Sequence, residues 1–249
     1  MSDVWSERAQ LYRESPLHRE GEDLDLIVEW AEPEAGRTAL DVATGGGHVA
    51  RRLREQGCNV VTLDPSPGMQ PDVIARAEDL PFADDSFDVV ATRIAAHHFE
   101  NVAGAVREMA RVSRELVLVE DTLYESERVE EAERLHDPSH VRSYTEEEWR
   151  TFLGDAGLEV EQVELVEKRQ DLEAWLARTG CEGSEAERVR ELLAHRIEGG
   201  LIRDTKILLK ATKAVACEAD REAGPAPPAR PSNAASGMQD TDPELPRSL

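Results

Sequence analysis

The segment Leu40-Asp41-Val42-Ala43-Thr44-Gly45-Gly46-Gly47-His48-Val49-Ala50 constrains the fold more than any other stretch of the chain. A short apolar run, Thr38–Ala43, enters a glycine cluster, and a helical pattern rich in Arg, Leu and Glu leaves it from His48 to Gln56. Such a run reads as a buried parallel strand feeding a tight bend. Glycine allows positive φ and a close backbone approach to a ligand, and the free N–H groups opening the next helix face that ligand. Asn59–Leu63 is a second buried strand, and Asp64 at its end is placed to accept both hydroxyls of a ribose. Gly45-x-Gly47-x-x-Ala50 followed by Asp64 matches the nucleotide-binding fingerprint.

That fingerprint serves dinucleotides and sulfonium nucleotides alike. Asp41, inside the strand end, separates them: a carboxylate there suits a cationic methionyl ammonium or sulfonium and would repel a pyrophosphate. The plainer reading makes Asp41 a hydrogen-bond partner of its own loop. An NAD-dependent oxidoreductase is the rival enzyme, opposed by Asp41 and by the lack of a Tyr-x-x-x-Lys pair. A sensor that binds the nucleotide without catalysis is the rival outside enzymology.

Further along, 24, 26, 27 and 30 form one apolar helix face over Asp23–Trp30, and Val73–Ala75 and Phe87–Arg93 read as strands three and four. Asn101–Arg114 is an amphipathic helix and Glu115–Glu120 a fifth strand, so the alternation is that of an open parallel α/β sheet. Thr145 and Glu148 form a capping box for a helix to Ala156. Leu158–Val166 and Lys206–Lys213 are strand patterns, with helical patterns around Leu172–Arg178 and Glu185–Ile197 between them. Residues 218–249 are rich in Ala, Pro, Ser and Gly without periodicity and are expected to be disordered.

LDVATGGGHVA resembles motif I of class I S-adenosylmethionine (SAM)-dependent methyltransferases, and VVTLDPSPGM resembles their second-strand motif. AEDLPFADDSFDVV is similar to the loop and fourth strand of the methyltransferase-type-11 group, and RIAAHHF, HDPSHVRSYTEEEW and KILLKA are closer still to its YcgJ-like subgroup. The resemblance spans about residues 20–213. It implies a Rossmann-like doubly wound sheet of seven mostly parallel strands with a final hairpin-forming strand. One methyltransferase domain would then cover 1–217, with a helical cover over the substrate pocket at about 123–203. It also implies that Asp41 and the backbone of Ala43, Gly45 and Gly47 hold the methionyl end of SAM, and that Asp64 binds the ribose. Pro65 and Met69 would pack near the adenine, Ala77 and Glu78 line its edge, and Arg93 lie under the methionine. Arg76 stands where many relatives carry an acidic or hydroxyl residue, so recognition of the adenine amino group passes to backbone groups.

Methyl transfer to a small organic acceptor, giving S-adenosylhomocysteine, needs chiefly positioning, and a base where the acceptor arrives protonated. His97 and His98 follow the fourth strand and are the candidate bases; packing and helix capping are the alternative. His136, His140 and Arg142 are candidate ligands of an acidic acceptor, against the reading of HDPSHVR as a closing loop fixed by Pro138. Tyr12 and His18 form either a lid or an ordinary surface helix. No ligand spacing supports a metal, and Cys58, Cys181 and Cys217 are scattered thiols.

The 249 residues carry 29 Lys+Arg against 52 Asp+Glu, a net charge of −23, and the four lysines are Lys168, Lys206, Lys210 and Lys213. So acidic a surface repels nucleic acid. No apolar run is long enough for a bilayer and no signal peptide opens the chain, so a cytoplasmic location is expected. The Lys-poor, carboxylate-rich balance resembles proteins adapted to molar salt. The melting temperature is therefore expected to rise between low and molar KCl as self-repulsion is screened, and an unchanged or falling value in a thermal scan removes the halophilic reading.

Overall fold

The computed structural model describes residues 4–213; the expected disordered tail and Cys217 lie outside them. Five parallel strands form the sheet expected from the alternating pattern: β1 (Thr38–Val42), β2 (Asn59–Asp64), β3 (Val73–Ile74), β4 (Phe87–Arg93) and β5 (Ser113–Thr122). Two antiparallel strands, β6 (Leu158–Asp171) and β8 (Leu201–Lys213), extend it to the order β3-β2-β1-β4-β5-β8-β6. An eighth strand, β7 (Ile197–Glu198), was not expected and pairs with β8. Gly199 and Gly200, at φ 59° and 82°, make the two-residue turn between them. A tight hairpin turn of this kind needs positive φ at both positions, which two glycines supply without strain.

Successive strand residues point to opposite faces, and helices cover both. Leu40, Val42, Val90, Val117 and Leu209 pack under α5 (Val102–Val112) and α7 (Glu146–Asp155) around the fully buried Trp149. Ala39, Val89, Leu118 and Leu208 pack under α3 (Glu22–Trp30) and α4 (His48–Glu55) with Leu24, Ile27 and Leu53. Each buried Leu or Val contributes about 1.5–3 kcal/mol, so strands apolar on both faces are specified strongly. The capping box opens α7 as read: Thr145 Oγ1 accepts from Glu148 N, and Glu148 Oε2 accepts from Thr145 N.

The helical cover has a core of its own. Val129 and Ala132 on α6 (Glu127–His136) meet Leu172, Trp175 and Leu176 on α8 (Leu172–Thr179). Val189 and Leu193 on α9 (Gly183–Leu193) and Ile202 on β8 complete it. β6 and β8 run past the expected strand ends, pairing from Val166↔Lys206 to Asp171↔Leu201. That extension is charged because Lys168, Gln170, Asp204 and Lys206 face a polar interior, so no apolar alternation marks it in the sequence. At the other end, α1 (Val4–Glu14) and α2 (Pro16–Arg19) precede α3 and reach the carboxyl ends of the parallel strands.

Candidate active site

Strand order reverses between β1 and β4, and a cavity of about 500 Å³ opens at their carboxyl ends. Such a reversal is where open α/β sheets bind ligands, because the outgoing loops diverge there. Ala43, Gly45 and Gly47 all have positive φ (53°, 50° and 74°), which turns the chain sharply from β1 into α4. A Cβ at Gly45 would meet nothing within 4 Å, so this side of the loop is open for a ligand. Gly46 is closed: its Cβ would lie 2.5 Å from His48 Nε2.

Two carboxylates fix the bend. Asp41 is buried and its Oδ2 accepts from Thr44 Oγ1 at 2.5 Å and from Ala50 N at 3.1 Å. The plainer role, bonding its own loop, is therefore realised, and Asp41 lines the cavity as well. Burial raises its pKa to about 6 despite those hydrogen bonds. At the end of β2, Asp64 Oδ2 accepts from Gly45 N at 3.0 Å and Oδ1 from Ser66 N at 2.9 Å. Asp64 thus holds the glycine loop and faces the same cavity, with Pro65, Met69, Ala77 and Glu78 along the adjoining wall. Gly47 does not line the cavity; it caps α4.

The N-terminal segment covers this region. Gly68 N donates to Ser6 Oγ at 2.8 Å, Arg13 Nη1 donates to Gly68 O at 3.0 Å, and His48 Nε2 lies 3.1 Å from Tyr12 O. A Cβ at Gly68 would come within 2.3 Å of Ser6 Cα, so only glycine lets α1 seat on the single 3-10 turn Pro67–Met69. Tyr12 and His18 both line the cavity, as a lid would.

Beneath lies Arg93, whose Nε donates to Glu120 at 2.8 Å, Nη1 to His18 O at 3.0 Å and Nη2 to Asp23. Lys168 Nζ donates to Asp23 at 2.7 Å. Arg93 is legible in the sequence, whereas Asp23, Glu120 and Lys168, which come from three separate elements, are not.

The histidines divide. His97 Nδ1 pairs with Asp121, which raises the His97 pKa even though burial opposes its charge. His98 is held down to about 3 by burial and by the neighbouring His97, and its Nδ1 lies 3.1 Å from Ser139 O. His136 stacks on Trp175 with ring centres 3.6 Å apart, its Nε2 lies 2.9 Å from Trp175 O, and burial lowers its pKa to about 4. His140 Nε2 lies 3.1 Å from Glu130. All four line the cavity, so HDPSHVR is both a closing loop and a wall. Arg142 departs from its expected place: it is not in that wall, and its guanidinium donates to Glu148 at the surface, 2.6 Å away. It is held there by the Glu148 carboxylate and by the Tyr144 ring, whose centre lies 5.2 Å from the guanidinium. Thr122, Asp204, Lys206 and Arg196 complete the far wall, none of them expected from the sequence. Among the described residues no group of three or more His, Cys, Asp or Glu is arranged to hold a metal, and no helix is long and apolar enough to cross a membrane.

Comparison with known proteins agrees with this geometry. The family model described as "Methyltransferase domain" matches residues 40–116, from β1 into β5. The uncharacterized methyltransferase YcgJ of Bacillus subtilis is 32% identical over 213 residues, which are 77% of this chain and 83% of YcgJ. The crystal structure of YcgJ superposes with a TM-score of 0.70 at 27% identity, over 78% of this chain and 98% of that one. The Bacillus halodurans protein BH2331 superposes with a TM-score of 0.71 at 28% identity, over 78% and 100%. The carboxylate-braced glycine bend, the strand order and this extent of shared sequence lead to one conclusion: the chain belongs to the methyltransferase family that includes YcgJ.

Proposed function

We propose that the protein transfers a methyl group from S-adenosylmethionine to a small organic acceptor, with His97 as the base. The observation that carries this reading is Asp41, a buried carboxyl in a cavity wall beside an open glycine loop. Burial raises its pKa and so disfavours the anion, and a cation bound beside it would favour the anion again. A pyrophosphate would meet the opposite energetics, which disfavours a dinucleotide. The residues present therefore fit a sulfonium nucleotide.

When bound, SAM supplies a methyl carbon already activated by positive sulfur. The chain's own tasks are to hold, orient and deprotonate. Asp41 faces the positive methionyl end, and Asp64, oriented by Gly45 N and Ser66 N, is placed at the cavity for the ribose hydroxyls. Pro65 and Met69 offer apolar surface to the base, and α1 excludes water from above. His97 Nε2 takes the acceptor's proton while Asp121 fixes the ring by Nδ1 and stabilises the imidazolium that results.

Calorimetry is expected to show S-adenosylhomocysteine binding and no NAD binding. Asp64→Ala should weaken S-adenosylhomocysteine roughly 10- to 100-fold, the equivalent of about 1.5–3 kcal/mol for lost charged hydrogen bonds, with the fold retained. NAD binding, or unchanged affinity in Asp64→Ala, removes the cofactor assignment.

Cofactor affinity should also depend on pH through Asp41. Its anion is required, and burial raises its pKa to about 6, so affinity is expected to be full at pH 7.5 and to fall as pH drops through 6. Flat affinity between pH 5 and 7.5 would place the cation elsewhere.

For catalysis, labelled SAM is screened against phenols, enols and small acids in molar KCl. His97→Ala should lower kcat by about 10²–10⁴ while cofactor affinity holds. In the unsubstituted enzyme kcat should climb with pH above the 6.5 of a free imidazole, because His97 must lose its proton to act. Equal kcat in His97→Ala would reduce His97 to a packing residue.

A further inference from the structure

The acceptor half of the cavity is walled by ionic side chains, and its cations are not equivalent. Arg76 lies 3.4 Å from Glu78 and 3.2 Å from Glu100. Arg93 has Glu120 and Asp23, Arg196 lies 3.3 Å from Asp204 and 3.5 Å from Glu125, and Lys206 pairs with Asp204. Arg178, in the last turn of α8, is the exception. Among the described residues no carboxylate lies within 4 Å of its guanidinium. Nη2 donates to the amide oxygen of Gln170 at 3.1 Å, and the group sits 5.9 Å from the centre of the Tyr12 ring. Among the described residues its buried Nε has no acceptor.

A buried guanidinium left without an anion is costly, and so is a buried N–H left unbonded. The carboxyls that could relieve it are engaged or disfavoured. Asp137 accepts from Ser139 and from Arg8, whose Nη1 is 3.4 Å away. Asp204 serves Lys206 and Arg196. Glu133, in the same wall, is pushed toward its neutral form by burial and then by Asp204. The histidines nearby, His18 and His136, are held neutral by burial and bring no negative charge. The wall around this point also includes Tyr12, Trp175 and Ile202, which suit the hydrocarbon body of a small molecule.

We propose that Arg178 is the anion-binding residue of the acceptor subsite, and that the methyl acceptor is a small organic carboxylate whose carboxyl group occupies the unfilled donors of this guanidinium. The proposal deepens the methyltransferase reading and rests on it. A guanidinium presents parallel N–H donors that match a carboxylate in two-point contact, and this geometry gives Arg an advantage over Lys at such a site. With the carboxylate at α8 and the reacting hydroxyl or acidic carbon at His97, the acceptor would span the chamber. The chemistry required is thus a hydroxy acid or an enolisable acid, not a neutral alcohol or amine.

The full chain, saturated with S-adenosylhomocysteine, is titrated calorimetrically with 4-hydroxybenzoate and with its neutral isostere 4-hydroxybenzamide. The anion is expected to bind at least about tenfold more tightly than the amide. Arg178→Met should abolish that preference while leaving amide binding in place, Arg178→Lys should keep part of it, and the surface variant Arg142→Gln should keep all of it. S-adenosylhomocysteine affinity, measured first on every variant, reports the fold and tests the methyltransferase reading separately. Loss of that binding in the parent protein sinks the cofactor assignment. Normal cofactor binding with equal binding of the two probes, with neither probe bound, or with the anion preference intact in Arg178→Met overturns the role of Arg178.

Discussion

Arg93 is the point on which the arrangement turns. Its three donor directions tie β4 to Glu120 on β5, to Asp23 on α3 and to the backbone of His18 in the arm that covers the cavity. Lys168, on the extended β6, joins through Asp23. Two cations and two carboxyls are thereby buried together, and removing one partner of such a group costs about 3–5 kcal/mol because the remainder is left uncompensated. Burial pushes Glu120 up to about 8, whereas the cations hold Asp23 ionised against the same penalty. Asp23 Oδ1 and Glu120 Oε1 are both buried without a partner, and a proton on Glu120 shared between them satisfies both.

The acidic exterior is consistent with this interior. All four lysines of the chain have carboxylate partners: Lys168 with Asp23, Lys206 with Asp204, Lys210 with Glu32 and Lys213 with Asp85. Two of these lysines, Lys168 and Lys206, are buried, and the other two bridge to exposed carboxylates. Exposed pairs of the Lys210–Glu32 kind contribute little and are screened by salt. The buried pairs are insulated from that screening, so the cavity's electrostatics survive conditions that erase the surface's.

What the sequence disclosed follows the same division. Thr38–Val42, the glycine bend and Asp64 were legible because a doubly covered strand is uniformly apolar and a sharp turn demands glycine, both local requirements. The extension of β6 and β8 was not, because its alternate residues face an ionic chamber, and polar alternation against polar residues carries no period. His97 was visible as a candidate, but its partner Asp121 lies at the far end of the next strand and only the β4–β5 register brings them together. Arg178 sits in an ordinary amphipathic helix, and nothing local distinguishes it from the paired arginines on α9 such as Arg190, which meets Glu173 at 2.6 Å. Arg142 shows the converse error: its histidine neighbours are cavity residues, yet an irregular loop has no period from which to decide which side chains turn inward.

The adjacent imidazoles show how finely one carboxylate can assign roles. The rings of His97 and His98 are 4.0 Å apart, too close for both to be imidazolium cations in a buried setting. Burial alone would keep both neutral. Asp121 breaks the symmetry: its Oδ1 accepts from His97 Nδ1 and from Thr122 N, and its charge favours the protonated His97 ring. His98 meets a backbone carbonyl at Ser139 instead, which can accept one N–H but cannot support a full charge. Of the two rings, His97 is the one favoured to be protonated, while burial and the neighbouring His97 keep His98 neutral. The difference between the two rings comes chiefly from Asp121, a residue that contributes no surface to the cavity.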